Sequence, residues 1–167
     1  QFKGMTRLGF TATPRFARKE LELLLPTEIH TMTIAEGVEE EMLSSFSAYI
    51  AKTSVDLTNV PIQGGDYDKD ELEKVVNQYA RNKGAVDLYE KMFKEETVVA
   101  YCAGVKHAET MAQLFNERGI ATAVVHGKQR RKEQETILEK HKNGEIKVIC
   151  NSDILIEGFD EPRASVC

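Results

Sequence analysis

Hydroxyl, carboxylate and glycine positions gather in two short strings near the two ends of this sequence, with a run of cations between them. The first string is Gly9-Phe10-Thr11-Ala12-Thr13-Pro14-Arg15, and the second runs from Ile149 to Pro162. Thr11, Thr13 and Ser152 bring hydroxyls, and Asp153 and Asp160 bring carboxylates. Gly158 offers a backbone that can approach a partner closely, where any side chain would collide. A plainer account competes with a binding role. Two threonines at a strand end can be incidental, and an Asx turn between strand and helix explains one glycine and one aspartate.

Lys128-Gln129-Arg130-Arg131-Lys132 is the densest basic cluster. It opens a helix pattern, where the dipole disfavours cations. Such a cost points to a use, and phosphates are the obvious partner. A solvated face with Glu133 and Glu135 as partners explains the same residues. Lys106 falls in the first turn of an earlier helix pattern, and free N–H groups at a helix N-terminus bind phosphate; a solvated lysine is the alternative. His126-Gly127 closes a strand-like run, where a histidine also serves as a polar cap. No aromatics interleave the cluster, so base stacking is not indicated there. Cys102, Cys150 and Cys167 lack metal-type spacing, and no metal ligands are assigned.

The elements that must position these groups alternate clearly from Thr97 onward. Thr97–Tyr101 is a β-branched run. A helix pattern follows, with Ala108, Met111, Ala112 and Phe115 on one face and Gly119 as its stop. Ile120–Val125 reads as a second strand, Gln129–His141 as a second helix with Ile137 and Leu138 inward and Asn143-Gly144 as its stop, and Ile146–Cys150 as a third strand. Two βαβ units of these lengths imply a parallel sheet with right-handed crossovers. Ligands of such sheets bind at the carboxyl ends of the strands, where the string after Cys150 lies. Upstream, Leu72, Val75, Val76 and Tyr79 share one helix face, and Ala85, Leu88, Tyr89 and Met92 another. Asp68 or Asp70 would cap the first helix. Ser47–Leu57 alternates weakly, as a strand would, and Pro61–Asp68 with Gly64-Gly65 reads as a loop.

With 167 residues, the chain can bury one substantial core. No apolar run nears the roughly 18 residues of a membrane span, and the first residues do not read as a signal peptide. Reduced core cysteines fit a cytoplasmic protein. The net charge of −5 does not announce a nucleic-acid binder, but it is uneven. All of the excess lies in residues 1–96, and residues 97–167 balance 10 basic against 10 acidic side chains. Any grip on nucleic acid must be local.

In this order, the two strings resemble motifs III and V of superfamily 2 helicases, the DEAD/DEAH-like ATP-driven nucleic-acid motors, in their restriction-type (ResIII-like) form. GFTATPR matches the form GLTATPxR with Phe for Leu. Ser152-Asp153 stands where the family has Thr-Asp, and Gly158-Phe159-Asp160-Glu161-Pro162 supplies its x-Gly-x-Asp-x-Pro. Val98–Ala108 resembles motif IV. Val124–Gly127 resembles the loop after the next strand, where His-Gly lies near the nucleic-acid backbone. Ile34–Leu57 and Asp66–Asn77 resemble, more loosely, the connecting segment.

The resemblance implies an α/β, RecA-like parallel sheet flanked by helices. It makes residues 1–40 the end of a first lobe plus a linker, and residues 41–167 a second lobe stopping before motif VI. Thr11 and Thr13 would couple the phosphate site to the nucleic-acid face. Gly158 and Asp160 would meet ATP. Lys106, His126, Gly127, Ser152, Arg130 and Arg131 would meet DNA or RNA. The other implied partner is the first lobe, with no role for a membrane. ATP and Mg2+ would serve the full-length protein, with the Mg2+ ligands outside this chain. No GxxxxGK[ST] and no DExH or DExD string is present, so this stretch alone is not expected to hydrolyse ATP. Two other readings stay open: a nucleic-acid-binding or regulatory module that kept the fold without catalysis, and a nucleotide-ligand lobe of another α/β family.

Overall fold

A computed structural model describes residues 8–11, 25, 27, 30–155 and 164–167. The chain divides into two compact units, Gln1–Ala51 and Lys52–Cys167. In the first, helix α1 (Ile34–Glu39) starts with a capping box. The Thr33 hydroxyl accepts from the Glu36 N–H at 3.2 Å, and the Glu36 carboxylate accepts from the Thr33 N–H at 2.7 Å. Leu8, Gly9 and Phe10 carry no strand.

The second unit is built on four parallel strands. They are β3 (Thr97–Tyr101), β4 (Thr122–His126), β5 (Val148–Ser152) and β6 (Ala164–Val166), in the order β4-β5-β3-β6. Helices α2 (Lys69–Val76), α3 (Tyr79–Met92), α4 (Val105–Glu117) and α5 (Arg131–Lys142) complete it. The sheet separates two apolar clusters. Val98, Val148 and Cys150 pack with Val86 and Tyr89 of α3 and with Ala108, Met111, Ala112 and Phe115 of α4. Val99, Val125 and Ile149 pack on the other face with Ile137 and Leu138 of α5. Neighbouring residues of one strand thus bury opposite ways, and β5 is buried along its whole length.

β3 and the inward face of α4 lie where the sequence places them. Strands β4 and β5 each start two residues later than expected. Their first apolar residues finish the preceding helix instead of opening the strand. After α4, Gly119 takes φ +75°, its N–H reaches the Asn116 carbonyl, and the Ile120 N–H reaches the Phe115 carbonyl. After α5, Gly144 takes φ +80°, with matching bonds from Gly144 to His141 and from Glu145 to Lys140. Both are Schellman closures, in which only the glycine adopts the left-handed conformation cheaply. α5 likewise begins at Arg131 rather than Gln129.

Other expectations need correction. Residues 44–57 form no strand, and Phe46, Tyr49 and Ile50 are exposed; alternation without a neighbouring strand to pair with does not make a ladder. Pro61–Asp68 is not an open loop but a hairpin, β1 (Ile62–Gln63) against β2 (Asp66–Tyr67). Gly64 and Gly65 supply its two positive φ values, +62° and +92°, as a primed two-residue turn requires. Tyr79 leaves the α2 face because the helix stops at Val76, and it opens α3 largely exposed. The inward face of α3 is Asn82, Val86 and Tyr89, with Ala85 exposed and Met92 46% exposed. A buried asparagine has turned that face by one position, for a reason found in its partners.

Candidate nucleic-acid interface

The carboxyl ends of the three long strands lie level. Tyr101 pairs with Asn151, and His126 with Ser152. Loops from these ends lead to Lys106 in the first turn of α4, to His126-Gly127 and Arg130 before α5, and to Asp153 after β5. One edge of one sheet therefore gathers Lys106, His126, Gly127, Arg130, Arg131 and Ser152. Thr11 belongs to the other unit. Thr13, Gly158 and Asp160 lie outside the described residues.

Asp68 caps α2, accepting from the Glu71 N–H at 3.0 Å, and Lys69 beside it reaches Asp153 at 2.9 Å. The Asp153 carboxylate raises the Lys69 pKa through that bond and its charge. Both side chains are more than half exposed, so the pair contributes modestly. Asp153 itself sits at φ +68°, a conformation aspartate tolerates better than most residues. Asn151 holds the turn from below: its Oδ1 accepts from the N–H groups of Ile154 and Leu155, each at 3.2 Å. The Tyr101 hydroxyl donates to the Leu155 carbonyl at 2.9 Å from the neighbouring strand. The Asn151 side chain, bonding three and four residues ahead, closes this junction, while Gly158 and Asp160, for which an Asx turn is the plainer account, lie outside the described residues. Asn151 and Ser152 are buried, 1% and 3% exposed.

His126 is fixed by local bonds. Its N–H donates to Gln129 Oε1 at 3.0 Å, its Nδ1 accepts from the Lys128 N–H at 3.2 Å, and its carbonyl accepts from Gln134 Nε2 at 3.0 Å. That pattern leaves the ring proton on Nε2. At the head of α5 the cations straddle the helix start. The Arg130 N–H is accepted by the Glu133 carboxylate at 3.3 Å, which offsets their unfavourable end of the dipole. Arg131 pairs with Glu135 at 2.8 Å, both well exposed. Lys106, Lys128, Arg130 and Lys132 make no ion pair among the described residues.

The first turn of α4 differs from the expectation of free N–H groups. The His107 N–H donates to Glu73 Oε1 at 2.7 Å. Gly104, at the N-cap, has no side chain to do this. A Cβ there would meet the Glu73 carboxylate at 2.5 Å, so the glycine admits a cap from another helix. Sequence reasoning missed Glu73, Asn82, His107 and Asn151. Glu73 and His107 are 34 positions apart and leave no local signal.

Among the described residues no three His, Cys, Asp or Glu side chains could hold a metal ion, and no glycine-rich phosphate cradle is present. No described helix is long and apolar enough to cross a membrane.

The profile described as the helicase conserved C-terminal domain matches residues 83–167. A 51.5 kDa protein of Lactococcus phage (isolate 7-9) is 28% identical over 166 residues, covering 99% of this chain and 36% of that protein. The Saccharomyces cerevisiae protein IRC3, provisionally named an ATP-dependent helicase, is 25% identical over 160 residues, covering 93% of this chain and 23% of its own length. The likeness to a solved structure of S. cerevisiae Dbp5 bound to RNA and ADP BeF3 is weaker, with TM-score 0.47 and 19% identity over 52% of this chain and 22% of that one. The chain spans about a third or less of the curated relatives it matches. With four parallel strands, helices on both faces and a matched region covering half its length, this chain belongs to the helicase conserved C-terminal domain family.

Proposed function

We propose that this chain is the second motor lobe of an ATP-dependent nucleic-acid helicase or translocase, acting on DNA or RNA in the cytoplasm. The observation that carries the reading is the shared edge: Lys106, His126-Gly127, Arg130 and Ser152 come from three different strand ends onto one side of one sheet. Lys106, Lys128, Arg130 and Lys132 are free to meet phosphates. Ser152 lies deeper, so its hydroxyl reaches a strand only where the loops above it part. The loop that follows Leu155, with Gly158 and Asp160, is the segment we assign to the ATP-facing side. Residues 1–40, with Thr11 and Thr13, are read as the end of a first lobe, which would hold ATP and Mg2+.

The test is nucleic-acid-stimulated ATP hydrolysis by a two-lobe protein carrying this chain. Stimulation should be lost in Asp160→Ala with the melting temperature within a few degrees of the parent, and the 167-residue chain alone should show no turnover. Full stimulated turnover in Asp160→Ala would remove the motor assignment. Strand binding without turnover in the two-lobe protein would favour a module that kept the fold and not the catalysis.

A further inference from the structure

Helices α2, α3 and α4 meet at a polar seam that the nucleic-acid reading does not use. At its centre is His107, half-buried in the first turn of α4. The Ala103 N–H donates to its Nδ1 at 3.2 Å, and its Nε2 faces Asn82 Oδ1, also at 3.2 Å. A backbone donor on one nitrogen and an amide oxygen on the other fix one neutral tautomer, with the proton on Nε2. From there the donors run one way. Asn82 Nδ2 donates to Asn77 Oδ1 at 2.6 Å, Asn77 Nδ2 to Thr110 Oγ1 at 3.4 Å, and the Thr110 hydroxyl to the Lys106 carbonyl at 2.8 Å. The chain of bonds begins and ends on the first turns of α4. This is why Asn82, 1% exposed, occupies the inward face of α3.

We infer that His107 is a positioning residue whose neutral form holds the Cys102–Gly104 loop, and with it Lys106, at the carboxyl edge of the sheet, and that a proton on Nδ1 releases them. This rests on the reading of that edge as a nucleic-acid track. A proton on Nδ1 would set one donor against another, because the Ala103 N–H already points there. The charges facing the ring agree in part. Burial, the largest influence, and Arg81 of α3 hold His107 below the usual histidine pKa, while Glu73 of α2 opposes them. Lys106, next to it on α4, is the other cation at hand. A depressed folded value means the latch is fully made above the unfolded histidine value of about 6.5 and is lost as pH falls through the folded value.

The test uses the whole chain. Nuclear magnetic resonance should show the His107 ring titrating below the usual histidine range, with the Ala103 amide shifting at the same midpoint. Affinity for a fluorescent oligothymidylate should fall several-fold between about pH 7.5 and about one pH unit below that midpoint. That direction is diagnostic, because general protonation makes the protein more cationic and strengthens phosphate binding. His107→Asn keeps an acceptor where Nδ1 lies but does not titrate, so it should remove the acid loss and bind normally at neutral pH. His107→Ala should bind weakly at every pH.

An Ala103 amide that ignores the His107 titration would overturn the latch. So would an acid loss that persists in His107→Asn. An absent acid loss in a chain whose binding still depends on Lys106 would show that the loop does not govern the edge. If Lys106→Ala left affinity unchanged, the nucleic-acid reading would fail, while a coupled His107–Ala103 titration would still support the latch.

Discussion

The residue with the most to hold at the end of β5 is Asn151, and its side chain is buried. Its oxygen accepts two backbone N–H groups of a turn whose other supports are the Tyr101 hydroxyl and Lys69. Replacing it with alanine would leave both N–H groups without that acceptor in a buried place, at a cost of about 1–3 kcal/mol. Asn151→Ala should therefore lower the urea midpoint clearly. Tyr101→Phe, which removes only one bond from a half-exposed ring, should cost less, about 0.5–1.5 kcal/mol. Equal midpoints for Asn151→Ala and the parent would show that the turn closes without the side chain. At this scale the sequence is legible only where chemistry is local. Lys106, His126 and Arg130 could be placed because each sits at a punctuation mark between a strand and a helix. Lys69 and Asp153, 84 positions apart, could not: an ion pair depends on the fold that brings it together.

Elements read better than residues, and their errors have physical causes. The apolar runs of β4 and β5 were visible, but Ile120 and Ile146 serve the closures of the preceding helices, so the strands begin later than hydropathy indicates. The hairpin was hidden because its strands are two residues each, too short for periodicity, although the paired glycines were its signal. Contact between elements carries a further prediction. α4 starts at a glycine and takes its cap from α2, so the cap is an inter-helix bond. Gly104 has an extended backbone, φ −170°, which any residue can adopt; the objection to a side chain is the Glu73 carboxylate alone. Gly104→Ala should displace that flexible carboxylate and cost about what a lost cap costs, roughly 1 kcal/mol. Glu73→Ala should cost a similar amount. The double variant should cost clearly less than the two added together, because each removes the same bond. Additive losses in thermal unfolding would show that Gly104 and Glu73 act separately.

At the scale of the molecule, the carboxyl end of the parallel sheet carries Lys106, Lys128, Arg130 and Lys132, none of them in an ion pair among the described residues. At the far end of α4, Arg118 is engaged by Asp87 and Glu90, and Lys83 by Asp87. A net charge of −5 supplies no long-range attraction for a nucleic acid, so binding must come from the few phosphate contacts one edge can make. The isolated chain should then bind single strands weakly, with a Kd on the order of 10⁻⁴–10⁻⁶ M at physiological salt. Each cation that meets a phosphate contributes about 0.7 to the slope of log affinity against log salt for a single strand. Lys106→Gln and Arg130→Gln should each flatten that slope by about this amount. Arg118→Gln, a change of the same charge at the opposite end of the sheet, should leave it unaltered. Fluorescence anisotropy titrations at several salt concentrations separate the cases. If the Arg118 variant flattened the slope as much as the Arg130 variant, the strand would not be tracking the carboxyl edge, and the assignment of Lys106, His126, Arg130 and Ser152 to one binding face would have to be given up.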